Sequence, residues 1–74
     1  MKISVKLFAY FRDNRFKIKE YDIDEGTTVG NIVDDLNIDR EEVGVLMINS
    51  RHTNFDVHPV EKDILAIFPV IGGG

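Results

Sequence analysis

The side chains able to do chemistry near neutral pH are few. His52 and His58 are the only histidines. They lie six positions apart in segments that read as loops, with no companion Cys, His or carboxylate at a recognised metal-ligand spacing. The chain has no cysteine, which removes a thiol nucleophile, a disulfide and a zinc–thiolate site together. Thirteen carboxylates are spread along the sequence. Asp24/Glu25 and Glu41/Glu42 form adjacent pairs in loops, where solvation accounts for them, and Asp34 and Asp35 near the end of a helix read as solvated surface. No Ser-His-Asp set, nucleotide-binding glycine motif or basic–aromatic stripe is present. By elimination, the side chains offer no enzyme active site. The group left is a backbone one, the carboxylate that follows Gly72-Gly73-Gly74. Three glycines at a free end cannot be closing a turn, so they read either as a frayed terminus or as a functional tail.

What presents that terminus is bounded by size and charge. Seventy-four residues make one domain, 1–74, whose folding buries only about 60% of the unfolded surface, near the size at which small scaffolds need a staple or a partner. The net charge of −4 and pI of about 4.9 repel phosphate backbones, which argues against nucleic acid and anionic membrane as partners. No stretch approaches the roughly 20 apolar residues of a membrane span, and Met1-Lys2 leads straight into an alternating pattern instead of a signal peptide. A soluble, cytoplasmic protein is expected.

In chain order, Lys2 to Leu7 alternates, with Ile3, Val5 and Leu7 on one face of a half-buried strand. Phe8-Ala9-Tyr10-Phe11 is apolar on both faces, and Arg12 to Arg15 supplies a polar turn. Alternation resumes at Phe16 and Ile18 but returns with opposite parity at Tyr21 and Ile23, which predicts a bulge or twist near Lys19 and Glu20. Thr28 opens a helix whose stripe is Val29, Ile32, Val33 and Leu36 at i, i+3, i+4, i+7, and Asn37 closes it. A stripe of four is too short to stabilise a free helix, so it must lie on the sheet. Val43–Ile48 reads as a buried strand, Phe55 and Val57 as a short strand or anchored loop, and Ile64–Phe68 as a strand apolar on both faces, hence central. The fold class is α+β, two layers, with one helix across a small sheet.

This pattern resembles the β-grasp, or ubiquitin-like, fold, and specifically the MoaD/ThiS sulfur carriers, most nearly the small subunit of molybdopterin synthase. Val5-Lys6-Leu7-Phe8-Ala9-Tyr10-Phe11-Arg12-Asp13 resembles that subunit's first strand and its aromatic, Ala/Gly, then Leu/Phe-Arg-Glu/Asp ending. Glu25 to Ile32 resembles the family's helix entry. Ala66-Ile67-Phe68-Pro69-Val70-Ile71-Gly72-Gly73-Gly74 is similar to its phenylalanine, proline pair, spacer and diglycine end. The chain departs from the pattern in three ways. Val70 replaces the second proline, Gly72 stands where alanine is frequent, and Asn49-Ser50 and Glu61-Lys62-Asp63 replace Asn-Gly and Asp-Gly turns.

The resemblance implies a mixed sheet of four to five strands with one helix on one face, and a flexible tail over 69–74. It implies that Gly74 carries the carboxylate that an E1-like enzyme of the MoeB/ThiF type adenylates and that sulfur transfer makes a thiocarboxylate, for molybdopterin (molybdenum or tungsten cofactor) synthesis. ATP and magnesium would belong to that enzyme, and no cofactor to this chain. Gly72, Gly73 and Gly74 would enter a partner's active site, the large subunit of molybdopterin synthase among them. From Val70 to Gly74 the extended chain reaches on the order of 17 Å. Phe8 (or Phe11), Phe68, Pro69, Val70 and Ile71 are the candidate partner contacts beside the tail. A thiazole-synthesis carrier, a ubiquitin-like protein modifier and a plain interaction module with incidental glycines are the alternatives.

Overall fold

The computed structural model describes residues 1–70. Strand β1 (Lys2–Leu7) buries Ile3, Val5 and Leu7 and turns Lys2, Ser4 and Lys6 the other way, as its alternation requires. It pairs antiparallel with β2 (Ile18–Asp22) on one side and parallel with β5 (Ile64–Pro69) on the other. The far edge of β5 takes β3 (Val43–Ile48) antiparallel, and β3 carries a two-residue β4 (Arg51–His52). The order is therefore β2-β1-β5-β3-β4, a mixed sheet of five strands with the last strand at its centre. This is the β-grasp arrangement. Its consequence for function is that the chain beyond β5 leaves from the middle of the sheet.

Helix α1 (Val29–Asp35) covers one face only. Thr28 starts it with a reciprocal cap, in which its Oγ1 accepts the Asn31 N–H and the Asn31 side chain accepts the Thr28 N–H, both at 3.0 Å. Val29, Ile32 and Val33 are buried in a single cluster with Ile3, Val5, Leu7, Leu46, Leu65 and Ile67. The last turn of the helix holds no basic residue. Arg15, from the β1–β2 connection, supplies that charge instead, donating to the carbonyls of Leu36 at 3.0 Å and Asn37 at 3.3 Å. Asn37 leaves the helix at φ 58°, the left-handed region that asparagine tolerates.

Several local expectations are corrected. No bulge interrupts β2: its register against β1 is continuous from Lys6↔Ile18 to Lys2↔Asp22. The parity change arises because Phe16 lies before the strand, its ring 5.8 Å from that of Tyr21, while Ile18 points to the uncovered face at 54% exposure. The irregularity sits in β3, where the register against β5 shifts between Val43 and Val45. Phe8 to Phe11 does not prolong β1. A 3-10 turn over Ala9–Arg12 begins with Ala9 at φ 52° and tucks Phe11 into the core.

Phe55 and Val57 lie in an anchored loop, not a strand, their carbonyls accepting the N–H groups of Gly30 and Val29 at 2.9 Å. These bonds satisfy two of the donors that every helix start leaves open. Asp34 is exposed but not merely solvated, since Arg40 binds its two carboxylate oxygens at 3.0 and 2.9 Å. At the two turns where the resemblance leads one to expect glycine, Asn49, Ser50 and Lys62 adopt positive φ of 51°, 69° and 71°.

Candidate functional site

Alternation gives central strand β5 two apolar faces, and only one has a helix to cover it. Leu65 and Ile67 are fully buried beneath α1. Ile64, Ala66 and Phe68 face outward, joined across the ladder by Val45 opposite Phe68 and Met47 opposite Ala66. Phe8, where the chain turns out of β1, stacks on Phe68 with ring centroids 4.1 Å apart and planes 13° from parallel. The Arg12 guanidinium lies 5.4 Å from the centre of the Phe8 ring and donates from Nε to the Leu7 carbonyl at 2.7 Å, which fixes the ring pair at its outer end. An open apolar groove of about 570 Å³ runs beside the stack, lined by Gly44, Val45, Met47, His52, Phe68, Pro69 and Val70. Lys6, Arg12 and Lys17 surround Phe8 and Ile18 on the opposite flank. An acidic chain thus places a set of its cations along one margin of its apolar face.

The root of the tail is built into this face. β5 extends through Pro69, which is buried opposite Val43, so the strand outlasts the apolar run by one residue. The Val70 N–H then donates to the Glu42 carbonyl at 2.8 Å. Glu42 is held in turn, its carboxylate accepting the Tyr10 hydroxyl at 3.1 Å. Partial desolvation, and then this bond to Glu42, raise the Tyr10 phenol above its ordinary pKa. Gly44, the extra residue of the β3 irregularity, lies directly against the same backbone. A Cβ placed there would stand 2.7 Å from the Pro69 carbonyl oxygen and 3.0 Å from the Val70 Cα.

The structure therefore brings together Phe8, Phe68 and Val70, places Pro69 beneath them with its side chain buried, and adds Val45, Met47, Gly44 and Tyr10, which sequence reasoning missed. A signal for Val45 and Met47 was available, because Val43–Ile48 is apolar at every position and one helix cannot cover both of its faces. Ile71, Gly72, Gly73 and Gly74 lie outside the described residues. His52 sits at the margin of the groove, whereas the Nδ1 of His58 is 3.0 Å from the Gly26 carbonyl on another side of the molecule. Among the described residues no three His, Asp or Glu side chains gather as a metal would require, and no helix is long and apolar enough to cross a membrane.

Comparison with known proteins decides the family. The ThiS family model matches residues 5–74. The chain belongs to the ThiS family. Solved structures share the fold over nearly its full length. A putative molybdopterin converting factor, subunit 1, from Pyrococcus furiosus superimposes with a TM-score of 0.77 at 22% identity, covering 96% of this chain and 99% of that one. SAMP1 from Haloferax volcanii gives 0.75 at 21% identity with both chains covered in full. A chain from the complex of subunits 1 and 2 of the molybdopterin-converting factor from Helicobacter pylori 26695 gives 0.67 at 14% identity, again over both full lengths. No curated protein matches the sequence. For this ThiS family chain, identities this low establish the ubiquitin-like fold; its role has to be argued from its own surface and its own terminus.

Proposed function

We propose that this chain is a sulfur carrier that works as the small subunit of a molybdopterin synthase, with the Gly74 carboxylate as its reactive group. One observation carries the reading. Among the described residues, the apolar face of the sheet that no helix covers is continuous, through Phe68 and Val70, with the point at which the C-terminal segment leaves the body. A partner seated on Phe8, Phe68, Val45 and Met47 thereby receives the tail beside its own seat. Family membership supports the reading, as does the existence of a structural relative that is described in complex with a subunit 2.

The chemistry asks little of the carrier's own side chains. In an E1-like enzyme of the MoeB/ThiF type, a Gly74 carboxylate oxygen attacks the α-phosphorus of magnesium-bound ATP and pyrophosphate leaves. The resulting mixed anhydride carries AMP as a good leaving group. Sulfur at the oxidation level of sulfide then attacks the acyl carbon, AMP departs, and the thiocarboxylate that remains is anionic and nucleophilic. Glycines at the reacting end suit this chemistry because a chain without side chains fits a narrow channel in extended form. The absence of cysteine is no obstacle, since the sulfur is carried on the main chain. The basic margin at Lys6, Arg12 and Lys17 favours partners whose seat has an acidic rim, by raising the rate of encounter.

Removing Gly74 tests the proposal. The shortened chain should keep its circular dichroism and melting curve, yet support no pyrophosphate exchange with the activating enzyme of the same organism. Full exchange by the shortened chain refutes it. A second reading, a ubiquitin-like protein modifier, draws on the likeness to a structure described as a small archaeal modifier protein. It predicts Gly74 joined to lysines of other proteins and no thiocarboxylate pool.

A further inference from the structure

We infer that Gly44, together with the hydrogen bond from the Val70 N–H to the Glu42 carbonyl, acts as a positioning device that fixes the direction in which the C-terminal segment leaves the sheet. The inference rests on the carrier reading above and deepens it, because it names residues that determine how productively the terminus is delivered, separately from those that dock the body.

Two independent features of the backbone meet at Val70. The first is attractive. Beyond Pro69 the strand has run out of ladder partners, yet the Val70 amide is still held, 2.8 Å from the carbonyl of Glu42. Glu42 is itself constrained, since its N–H donates to the Asp39 carbonyl at 2.9 Å in the turn before β3 and its carboxylate accepts the Tyr10 hydroxyl at 3.1 Å. The second feature is steric. The register slip in β3 places Gly44 under the Pro69–Val70 peptide, so close that any side chain there would stand 2.7 Å from the Pro69 oxygen. Because this neighbour is backbone, it cannot swing aside as the end of a long side chain would. Gly44 has no positive φ, so the demand at this position is for space alone.

Extra residues of this kind are known to re-aim a strand where pairing ends. Here the bulge lies in β3, and the strand paired across it, β5, carries the reactive end. A fixed exit matters because four residues separate Val70 from the carboxylate. If a partner takes them in extended form they span about 14 Å, and a deflection of about 20° at Val70 then moves the terminal group by about 5 Å. Misplacement by about 1 Å can already slow a positioned reaction a hundredfold. Such a deflection leaves the docking contacts Phe68, Val45 and Met47 in place, since they lie inside the ladder of β5 and β3, and Phe8, just past β1, is held by its stack on Phe68.

The test separates delivery from docking. A chain of this length is accessible to total synthesis, so the Val70 amide can be replaced by an ester, which removes its N–H and otherwise only weakens the Pro69 carbonyl as an acceptor. Gly44→Ala is the companion variant, and Ile3→Val, buried in the core, serves as the control for mild destabilisation. Each protein is assayed by pyrophosphate exchange with the adenylating enzyme of the same organism, well below its melting temperature. The expected result for the ester analogue and for Gly44→Ala is a fall in kcat of about tenfold with KM within threefold of the unchanged chain, while Ile3→Val alters neither. Hydrogen exchange on Gly44→Ala should show the Val70 amide losing its protection while the β1 and β3 amides keep theirs. An ester analogue with unchanged kcat overturns the inference and leaves the carrier reading standing. Absence of exchange by the unchanged chain overturns the carrier reading, and this inference with it.

Discussion

Ile67 and Phe68 are neighbours on β5 with opposite duties, and truncating each in turn measures the division between core and docking face. Ile67 is fully buried beneath α1, so Ile67→Ala leaves a cavity that should cost about 4 kcal/mol, within the range for large-to-small changes in a core. Phe68 is half-buried and lies on the uncovered face, stacked on Phe8 at 4.1 Å. Removing half of the contacts of a buried phenylalanine, its ring pair included, should cost about 2 kcal/mol. A domain of 74 residues has a total stability of roughly 4–11 kcal/mol. Phe68→Ala should therefore stay folded, with a melting temperature lower by about 8–16 °C, whereas Ile67→Ala approaches the limit. Urea titration gives the stabilities, and calorimetric titration with the activating enzyme gives the affinities. Phe68→Ala should weaken binding about thirtyfold, as expected of a contact worth about 2 kcal/mol at an interface. Ile67→Ala, or Ile67→Val if the former melts, should bind within twofold of the unchanged chain at a temperature where it is folded. The reasoning fails if Phe68→Ala destabilises as much as Ile67→Ala, or if it binds normally.

Three further outcomes follow from local geometry. Ser50→Gly should raise stability in urea by about 1 kcal/mol, because Ser50 sits at φ 69°, where only glycine avoids the left-handed penalty; a loss of stability would contradict the turn. Gly30→Ala should fall short of the gain of about 1 kcal/mol that alanine brings to a helix, because the new Cβ would push the Arg40 guanidinium, 2.5 Å away, off its bonds to Asp34; in an Arg40→Ala background the full gain should appear. Finally, Arg40 hydrogen-bonds Asp34 and holds its carboxyl below the usual carboxylate range. A pKa lowered on folding adds stability that is present above the unfolded-state value and is lost as pH falls through the folded one. The Asp34 titration followed by NMR should therefore move up in Arg40→Ala, and the acid limb of the stability curve should become shallower.

The larger elements were legible because each has a one-dimensional signature. The alternation of Ile3, Val5 and Leu7, the cap and stripe from Thr28 to Leu36, and the uninterrupted apolar run Ile64–Phe68 fix β1, α1 and a central β5. With a single helix available, the run over Ile64–Phe68 also signals a face left open. What stayed hidden depends on chain segments meeting in space. Gly44 looks like an ordinary small residue within a strand, and nothing near it in sequence reveals that Pro69 and Val70 press upon it. Gly30 weakens a helix on propensity alone, yet it makes room for Arg40, whose guanidinium also lies 5.0 Å from the centre of the Phe55 ring. Pro69 reads as the start of a tail and is instead the buried last residue of the sheet. The parity change between Ile18 and Tyr21 misled for the opposite reason, since an exposed isoleucine opposite Lys6 imitates a core residue.

The central claim concerns the chemical state of the Gly74 carboxylate, and intact mass spectrometry of the protein isolated from its own cells under non-hydrolysing conditions reads it directly. The account predicts a fraction of the chain heavier by the difference between sulfur and oxygen, with the added mass mapped by fragmentation to Gly74 and lost on mild hydrolysis. A terminus found only as the ordinary carboxylate, or only in isopeptide linkage to lysines, contradicts it.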